Sequence, residues 1–206
     1  QLKLLITSSK PEDFIAFEHL PHLMSEGILS SGVDAINYIR HEVFEESERR
    51  QGLFIAERVS NISLYNEHMR NKGLPQLPPV VVLVDEFADL ADNIASKDER
   101  DDFFRTLRQI AQAGRSRGIH LILCTQRPSA KLLDTNIKAQ LPGRIALTVA
   151  DSNSSKMILD VPDSGADKLQ GKGDLLFKDA YGISRAQGYS LDLDNLPEYV
   201  EQLLAR

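Results

Sequence analysis

Two adjacent carboxylates in this sequence follow a run of strand-forming residues, a pattern typical of a site that binds a metal ion or activates water. Asp85 and Glu86 come directly after residues 80–84, VVVLV. In an open parallel sheet, ligands bind where the strands end at the carboxyl edge. Because alternate side chains along a strand point to opposite faces, one carboxylate can hold Mg²⁺ while the other orients or deprotonates a water. The alternative is that the two acids merely end the strand, with Asp85 capping the element that follows.

A second apolar run ends in polar side chains of a complementary kind. Residues 119–124, IHLILC, are followed by Thr125 and Gln126. If the two runs are neighbouring strands, this amide or hydroxyl lies at the same edge as the acids, where it can sense a γ-phosphate and position the same water. The two strand ends together therefore favour a nucleotide-hydrolysing site over a simple polar end to a strand.

Short apolar runs alternate with longer helical patterns along the chain, which is typical of an α/β fold. We therefore expect a mostly parallel sheet with helices on both faces. The expected strands are residues 2–7, 80–84, 119–124, 145–149 and 174–177, and the expected helices start near Ser31, Ile62 and Lys97 and cover residues 195–206. No internal repeat or long linker divides the chain, so we predict a single α/β domain over residues 1–206.

The same runs carry expectations about burial. Residues 80–84 and 119–124 are continuously apolar, which predicts two strands buried within the sheet. Asp34 lies three residues after Ser31, and this spacing predicts a capped helix start at Ser31. The second half of that helix, residues 45–50, is charged and is expected to face solvent.

The composition excludes several classes of protein. With 206 residues, 42% of them hydrophobic and 26% charged, the chain is long enough to bury a core without disulfides. Its one cysteine, Cys124, excludes an internal disulfide and a cysteine-cluster zinc site. No apolar run reaches the roughly 18–20 residues of a membrane-spanning helix, so we expect a cytoplasmic segment without membrane contact. The net charge of −6 gives no general attraction to nucleic acid, so any contact with DNA needs a local basic patch.

Several blocks of the sequence resemble, in the same order, the blocks of one family of motors. VVLVDEFADL at residues 81–90 resembles the Walker B segment of the FtsK/SpoIIIE DNA-translocase motors, themselves relatives of the HerA helicases. AGRSRGIHLILCTQRPS at residues 113–129 resembles the helix end, sensor strand and loop that follow in that family. Residues 136–147, 166–177 and 185–189 are similar to the remaining blocks, so the resemblance covers most of the chain.

The resemblance implies a RecA-like P-loop NTPase core that uses ATP and Mg²⁺ and forms a homo-oligomeric ring, usually a hexamer, on double-stranded DNA. By position, Asp85 would hold the Mg²⁺, Glu86 would be the catalytic acid that polarises water, and Gln126 would be the sensor. All three would line the ATP site.

The resemblance also implies an arginine finger, a cation that one subunit presents to the nucleotide of its neighbour. Arg115 matches that position. Arg117 lies only two residues further on and competes for the role, and Arg108 is a weaker third candidate. Such a finger can accelerate hydrolysis by about 10³–10⁵.

Two further positions correspond to the loops that reach DNA in the pore of the ring, Arg127 and Lys156. One cation per loop suits a motor that grips phosphates without reading sequence. Lys131 and Lys138 can add to this patch. The alternative for all four side chains is that they are ordinary solvated surface charges.

One motif of the family is absent, since no G-x-x-x-x-G-K-[ST] occurs in the 206 residues. We therefore expect the C-terminal part of a longer motor, a P-loop core lacking its P-loop strand, with a Walker A loop upstream of residue 1. Alone, such a segment is expected to be inactive as an ATPase. The alternatives are a degenerate, non-hydrolysing assembly or DNA-binding module of a conjugation or DNA-modification-dependent restriction system, and a secretion motor that moves protein.

Overall fold

The computed structural model describes residues 2–128 and 135–204. The chain divides into two compact units, Gln1–Gln126 and Arg127–Arg206. Each unit contains one three-stranded sheet. That both units belong to one domain stays a prediction.

The first unit is built on a parallel sheet whose strands have the order β1-β2-β3. Its strands are β1 (Lys3–Thr7), β2 (Val80–Val84) and β3 (Ile119–Leu123). All three were predicted from their apolar runs. The register aligns the last residues of the strands, Thr7 with Val84 and Val84 with Leu123, so the three strands end at the same level.

Helices follow and connect these strands. They are a 3₁₀ helix (Pro11–Phe17), α1 (Gly32–Tyr38), a π-helical turn (Ile39–Val43), α2 (Phe44–Glu57), α3 (Ile62–Asn71), α4 (Phe87–Asp92) and α5 (Lys97–Arg117). The predicted cap is confirmed, because the hydroxyl of Ser31 accepts a hydrogen bond from the backbone N–H of Asp34 at 3.3 Å.

The predicted burial of β3 is wrong for one of its faces. Ile119 is buried, but the side chain of His120 is exposed and that of Ile122 is 47% exposed. Among the described residues, strand β3 is the last strand of its sheet and has a strand neighbour on one side only. An apolar run in sequence does not distinguish an edge strand from a central one.

The predicted exposure of residues 45–50 is also wrong in part. Ser47 is 1% exposed and Arg50 is completely buried, although both lie in the charged half of α2. Helix α2 packs against α5, and the side chain of Arg50 points into that contact, where it donates to the carbonyl of Arg117.

The second unit contains an antiparallel sheet of order β4-β5-β6. Its elements are α6 (Thr135–Gln140), β4 (Arg144–Ala146), α7 (Ser152–Leu159), a 3₁₀ turn (Ala166–Lys168), β5 (Asp174–Asp179), β6 (Gly182–Gln187), a 3₁₀ turn (Leu193–Asn195) and α8 (Leu196–Leu204). Strands β4 and β5 lie near predicted strands but pair antiparallel. Strand β6 was not predicted, because it is exposed along its length and has no apolar run. Among the described residues, no helix is both long and apolar enough to cross a membrane.

Candidate functional site

The carboxyl ends of the three parallel strands form one edge, and backbone hydrogen bonds join them there. The N–H of Asp85 donates to the carbonyl of Thr7 at 2.9 Å. On the other side, the N–H of Cys124 donates to the carbonyl of Val84 at 2.8 Å, and the N–H of Phe87 donates to the carbonyl of Cys124 at 2.7 Å. The residues that follow each strand are therefore held side by side, as the two polar strand ends in the sequence predicted.

One oxygen of Asp85 is fixed by the end of strand β1. The hydroxyl of Ser8, a residue only 3% exposed, donates to Oδ2 of Asp85 at 2.8 Å. The same hydroxyl accepts a hydrogen bond from the backbone N–H of Lys10 at 3.0 Å, which fixes its orientation. No role was predicted for Ser8 from the sequence, and its position directly after a predicted strand was the available signal.

Glu86 adopts a left-handed backbone conformation, with φ 48° and ψ 68°, at the start of α4. Such a conformation costs a residue with a side chain about 1–3 kcal/mol, and residues held in it cluster at functional sites. The Glu86 carboxylate makes no capping bond to α4. Together with the bond from Ser8 to Asp85, this argues against the interpretation of the two acids as a helix cap.

Instead, the Glu86 carboxylate reaches across to the end of β3. Its Oε1 accepts from the hydroxyl of Thr125 at 2.8 Å, and its Oε2 accepts from the backbone N–H of Gln126 at 2.8 Å. A carboxylate has about four acceptor positions, so two remain after these bonds. The group is thus oriented by β3 while it can still accept a hydrogen bond from a water. The side chain of Gln126 itself is exposed at the same edge.

The thiol of Cys124 lies beside both acids. Burial, followed by the negative charges of Asp85 and Glu86, raises the pKa of this thiol above its ordinary value. A thiol held in its protonated form is a poor nucleophile. The charges of Asp85 and Glu86 make the electrostatic potential at this edge negative, which favours binding of a cation.

A small cleft opens next to the acids, and its polar lining consists of oxygen ligands. Hydroxyl and carboxylate groups line it, from Ser8, Ser9, Ser31, Asp85, Glu86 and Asp89. Across residues 2–128 and 135–204, no three His, Cys, Asp or Glu side chains cluster closely enough to hold a metal by themselves. Mg²⁺ does not need such a cluster, because it keeps several waters and binds through one or two carboxylates together with phosphates. Asp85 and its oxygen-bearing neighbours fit that ion.

The three candidate finger arginines differ in their environment. The side chain of Arg117 has partners within the chain, because its Nη1 donates to Ser47 at 2.8 Å and to Glu48 at 2.6 Å. Arg115, on the last turn of α5, is exposed, and its guanidinium makes no hydrogen bond or ion pair within the described residues. Arg108 also interacts with another group of the protein. Of Arg115 and Arg117, therefore, it is Arg115 that is available to a neighbour.

The candidate DNA-contacting residues belong to the second unit. Arg127 and Lys156 are both exposed, and Lys156 lies on α7. Lys138 forms an ion pair with Asp160, a carboxylate that also pairs with Arg144. Lys131 lies outside the described residues.

Comparison of sequences finds relatives among known proteins. The profile of the FtsK/SpoIIIE family matches residues 1–130. The DNA translocase FtsK of Oceanobacillus iheyensis is 39% identical over 183 residues, which are 86% of this chain and 22% of that protein. The DNA translocase SpoIIIE of Bacillus subtilis is 34% identical over 214 residues, covering 100% of this chain and 26% of that protein. The chain thus spans about a quarter of the length of these relatives.

Comparison of structures finds the same fold in two solved proteins. The conjugation coupling protein TcpA of pCW3 superposes with a TM-score of 0.80 at 24% identity, over 98% of this chain and 57% of that one. The cytoplasmic domain of the type VII secretion ATPase EccC of Thermomonospora curvata gives 0.78 at 22% identity, over 98% and 24%. The predicted α/β, RecA-like fold is confirmed by these superpositions.

Proposed function

The chain belongs to the FtsK/SpoIIIE family, and we propose that it supplies the Walker B, sensor and arginine-finger residues of an ATP-driven motor that moves along double-stranded DNA. The observation that carries the proposal is the pair of acids at the sheet edge. Asp85 and Glu86 are held by different strands, through Ser8 and Thr125, so each carboxylate has a separate task.

Asp85, which lines the cleft, is the residue that would hold Mg²⁺, and the bond from Ser8 to its Oδ2 fixes the carboxylate. When bound, the ion supplies positive charge to the phosphates and to the leaving group. Glu86 accepts a hydrogen bond from the attacking water and takes up its proton, while Thr125 and the backbone N–H of Gln126 keep the carboxylate in place. The side chain of Gln126 contacts the γ-phosphate as the sensor.

Arg115 acts on the nucleotide of the neighbouring subunit in a ring of identical chains, which we expect to be a hexamer in the cytoplasm. Its exposed guanidinium and lack of an internal partner among the described residues support this role. Arg127 and Lys156 contact the phosphates of the DNA. The Walker A loop lies N-terminal to residue 1 in the full-length protein, so the chain by itself does not turn over ATP.

The test is ATP turnover by the full-length protein with and without DNA, comparing the wild type with the Glu86→Gln variant. We expect DNA to stimulate the wild type and the substitution to lower turnover by about 10²–10⁴-fold, since it removes the proton acceptor but keeps the shape of the side chain. Binding of ATP is expected to persist. Glu67→Gln is the matched control, because Glu67 is exposed on α3, and it is expected to behave as wild type.

Two results would overturn the proposal. Wild-type turnover in Glu86→Gln removes Glu86 from the chemistry. A full-length protein that neither binds nor hydrolyses ATP is a non-hydrolysing assembly module instead. Neutralising Arg127 and Lys156 together is expected to weaken DNA binding and its salt dependence, and an unchanged affinity would favour a motor that moves protein.

A further inference from the structure

Arg50, on the inner side of helix α2, is completely buried and uses every nitrogen of its side chain. Nε donates to the carboxylate of Glu46 at 2.8 Å, and Nη2 donates to the carbonyl of Pro78 at 2.8 Å. Nη1 donates to the carbonyl of Arg117 at 2.8 Å and reaches that of Gly118 at 3.5 Å. Burying a guanidinium is costly unless its donors are paired, and here they are paired. The carbonyl acceptors lie at the end of α5 and just before β2.

Arg50 donates to a carbonyl at the C-terminal end of helix α5. The last carbonyls of a helix have no partner within the helix, and the helix end carries partial negative charge. Helix α5 ends at Gly118, whose φ of 71° is left-handed. A Cβ on Gly118 would lie 2.4 Å from the side chain of Ile62 and 3.3 Å from Nη1 of Arg50, so glycine is needed for this close fit. Arg50 therefore caps the end of α5 from another helix.

A second contact ties the same end of α5 to α2. Nη1 of Arg117 donates to Ser47, which is buried, and to Glu48. At the other end of α5, Arg40 pairs with the carboxylate of Asp102. Arg40 belongs to the π-helical turn Ile39–Val43, which leads directly into α2. Helix α5 is thus held by α2 and its preceding turn at both ends.

Charge at this contact is balanced by Glu46. Burial raises the pKa of its carboxyl, but hydrogen bonds from Arg49 and Arg50 outweigh this effect and leave the pKa below its ordinary value. Glu46 is therefore ionised at neutral pH and compensates the buried cation.

The turn held in this way carries the candidate finger. Arg115 lies between Gly114 and Gly118, and its side chain is exposed. A Cβ on Gly114 would lie 2.4 Å from the carbonyl oxygen of Ile119, so this turn also lies directly against β3. The backbone of Arg115 is fixed from two sides, while the guanidinium stays accessible.

We propose that Arg50 is a positioning residue for Arg115: it locks the last turn of α5 so that the Arg115 guanidinium reaches the nucleotide of the neighbouring subunit in a fixed place. This inference rests on the proposed function, in which Arg115 is the finger. Arg50 itself contacts no nucleotide in this arrangement.

Arg50 is remote from the acids of its own subunit. Its partners Pro78, Arg117 and Gly118 precede β2 and β3, whereas Asp85 and Glu86 follow the end of β2. A five-residue strand spans about 17 Å, so the two sites lie at opposite ends of the sheet. Loss of Arg50 is therefore expected to change hydrolysis in the neighbour and to leave ATP affinity unchanged.

The experiment uses the full-length protein and the conservative variant Arg50→Lys, which keeps the charge but cannot reach the same set of acceptors. We expect DNA-stimulated kcat to fall by about 10–100-fold, because a displacement of about 1 Å of a group that must be aligned can cost 10²-fold. Arg49→Lys is the matched control, since Arg49 is 53% exposed and bonds only to Glu46 within the described residues, and it is expected to keep wild-type kcat. Arg115→Ala provides the reference for loss of the finger.

Mixing subunits separates positioning of a finger from simple folding. Arg50→Lys subunits have an intact Asp85–Glu86 pair and a displaced finger, while Glu86→Gln subunits have the reverse. If Arg50 acts through Arg115, mixed rings regain turnover above the average of the two pure rings. The absence of any gain in mixed rings, or wild-type kcat in Arg50→Lys, overturns the inference.

The same measurements tell this failure from failure of the proposed function. If Arg115→Ala is inactive and is rescued by mixing while Arg50→Lys behaves like Arg49→Lys, only the inference about Arg50 fails. If Arg115→Ala turns over ATP like the wild type, the finger assignment fails and the inference with it. Should Arg50→Lys not fold, Glu46→Gln, which weakens the bond to Nε of Arg50, is tested in the same way, and wild-type kcat in that variant overturns the inference.

Discussion

The two ends of the parallel sheet differ in how deeply their charged side chains are buried and how completely they are paired. At the carboxyl end, Asp85 and Glu86 are only half buried, and Glu86 has a left-handed backbone. At the other end, Arg50 is completely buried and each nitrogen of its guanidinium has a partner.

The difference reflects what each end has to do. A group that binds a ligand must keep hydrogen-bond acceptor positions open. Interactions elsewhere in the fold offset the cost of a strained backbone such as that of Glu86. A group that only holds helices in place is most effective when all its donors are satisfied, because a buried unpaired charge is destabilising. Substitutions at the carboxyl end should therefore change activity, and substitutions at the other end should change stability and geometry.

The largest expected effect on stability is at Arg50. In the 206-residue chain, Arg50→Met is expected to lower the free energy of unfolding by about 3–5 kcal/mol, because it removes the donor to the carbonyls of Arg117 and Pro78 and one of the two arginines that pair with Glu46. Urea unfolding followed by circular dichroism measures this. Arg49→Met is the control and should cost about 1 kcal/mol or less, as for an exposed pair. Equal losses in the two variants would contradict the comparison.

Asp85→Asn is expected to lower activity without lowering stability, the reverse of Arg50→Met. Turnover of the full-length protein should fall about 100-fold or more if Asp85 holds the Mg²⁺ as proposed, because the contribution of that ion to catalysis is worth several kcal/mol. The thermal midpoint of the chain should stay the same or rise, since the asparagine oxygen still accepts the bond from Ser8. A variant that is active but unstable would place Asp85 among the structural residues.

Thr125→Val tests the support of Glu86 with a smaller expected effect. It removes the hydroxyl that donates to Oε1 at 2.8 Å and keeps the shape of the side chain. Hydrogen bonds to charged groups are worth about 1.5–3 kcal/mol, so kcat should fall about 10-fold or more with unchanged affinity for ATP. Thr125→Ser, which retains the hydroxyl, should recover most of the activity. If both variants lose activity equally, the methyl group and not the hydroxyl supports the site.

The smallest expected effect concerns Cys124, the one cysteine of the chain, which reports on the field at the acids. Its pKa is raised by burial and then by Asp85 and Glu86, so its thiolate fraction at a given pH is lower than for a free thiol. Alkylation by iodoacetamide should be slow at pH 8 and accelerate only at higher pH. In Glu86→Gln the profile should move toward lower pH, which speeds alkylation at pH 8 a few-fold. An unchanged profile would mean that burial alone sets the pKa.

The strands of the first unit and the place of its acids were readable from the sequence, because they depend on neighbouring residues. A continuous apolar run such as Val80–Val84, ended by two carboxylates, predicts both a strand and a polar edge. The second unit was harder to predict. Its strands β4 and β5 are short apolar runs whose pairing direction no local pattern encodes, and β6 is exposed throughout.

Local sequence therefore determined where the acids, the sensor position and the candidate finger lie along the chain, and it pointed to the family. Only the tertiary structure decided which arginine of the block 113–117 is occupied and which is accessible, and that Arg50 is buried. The physical reason is distance along the chain: Arg50 and the carbonyl it binds are 67 residues apart, and Thr125 and Glu86 are 39 apart. Whether a charge is solvated, paired or strained depends on such partners, which come together only when the sheet and its helices have packed.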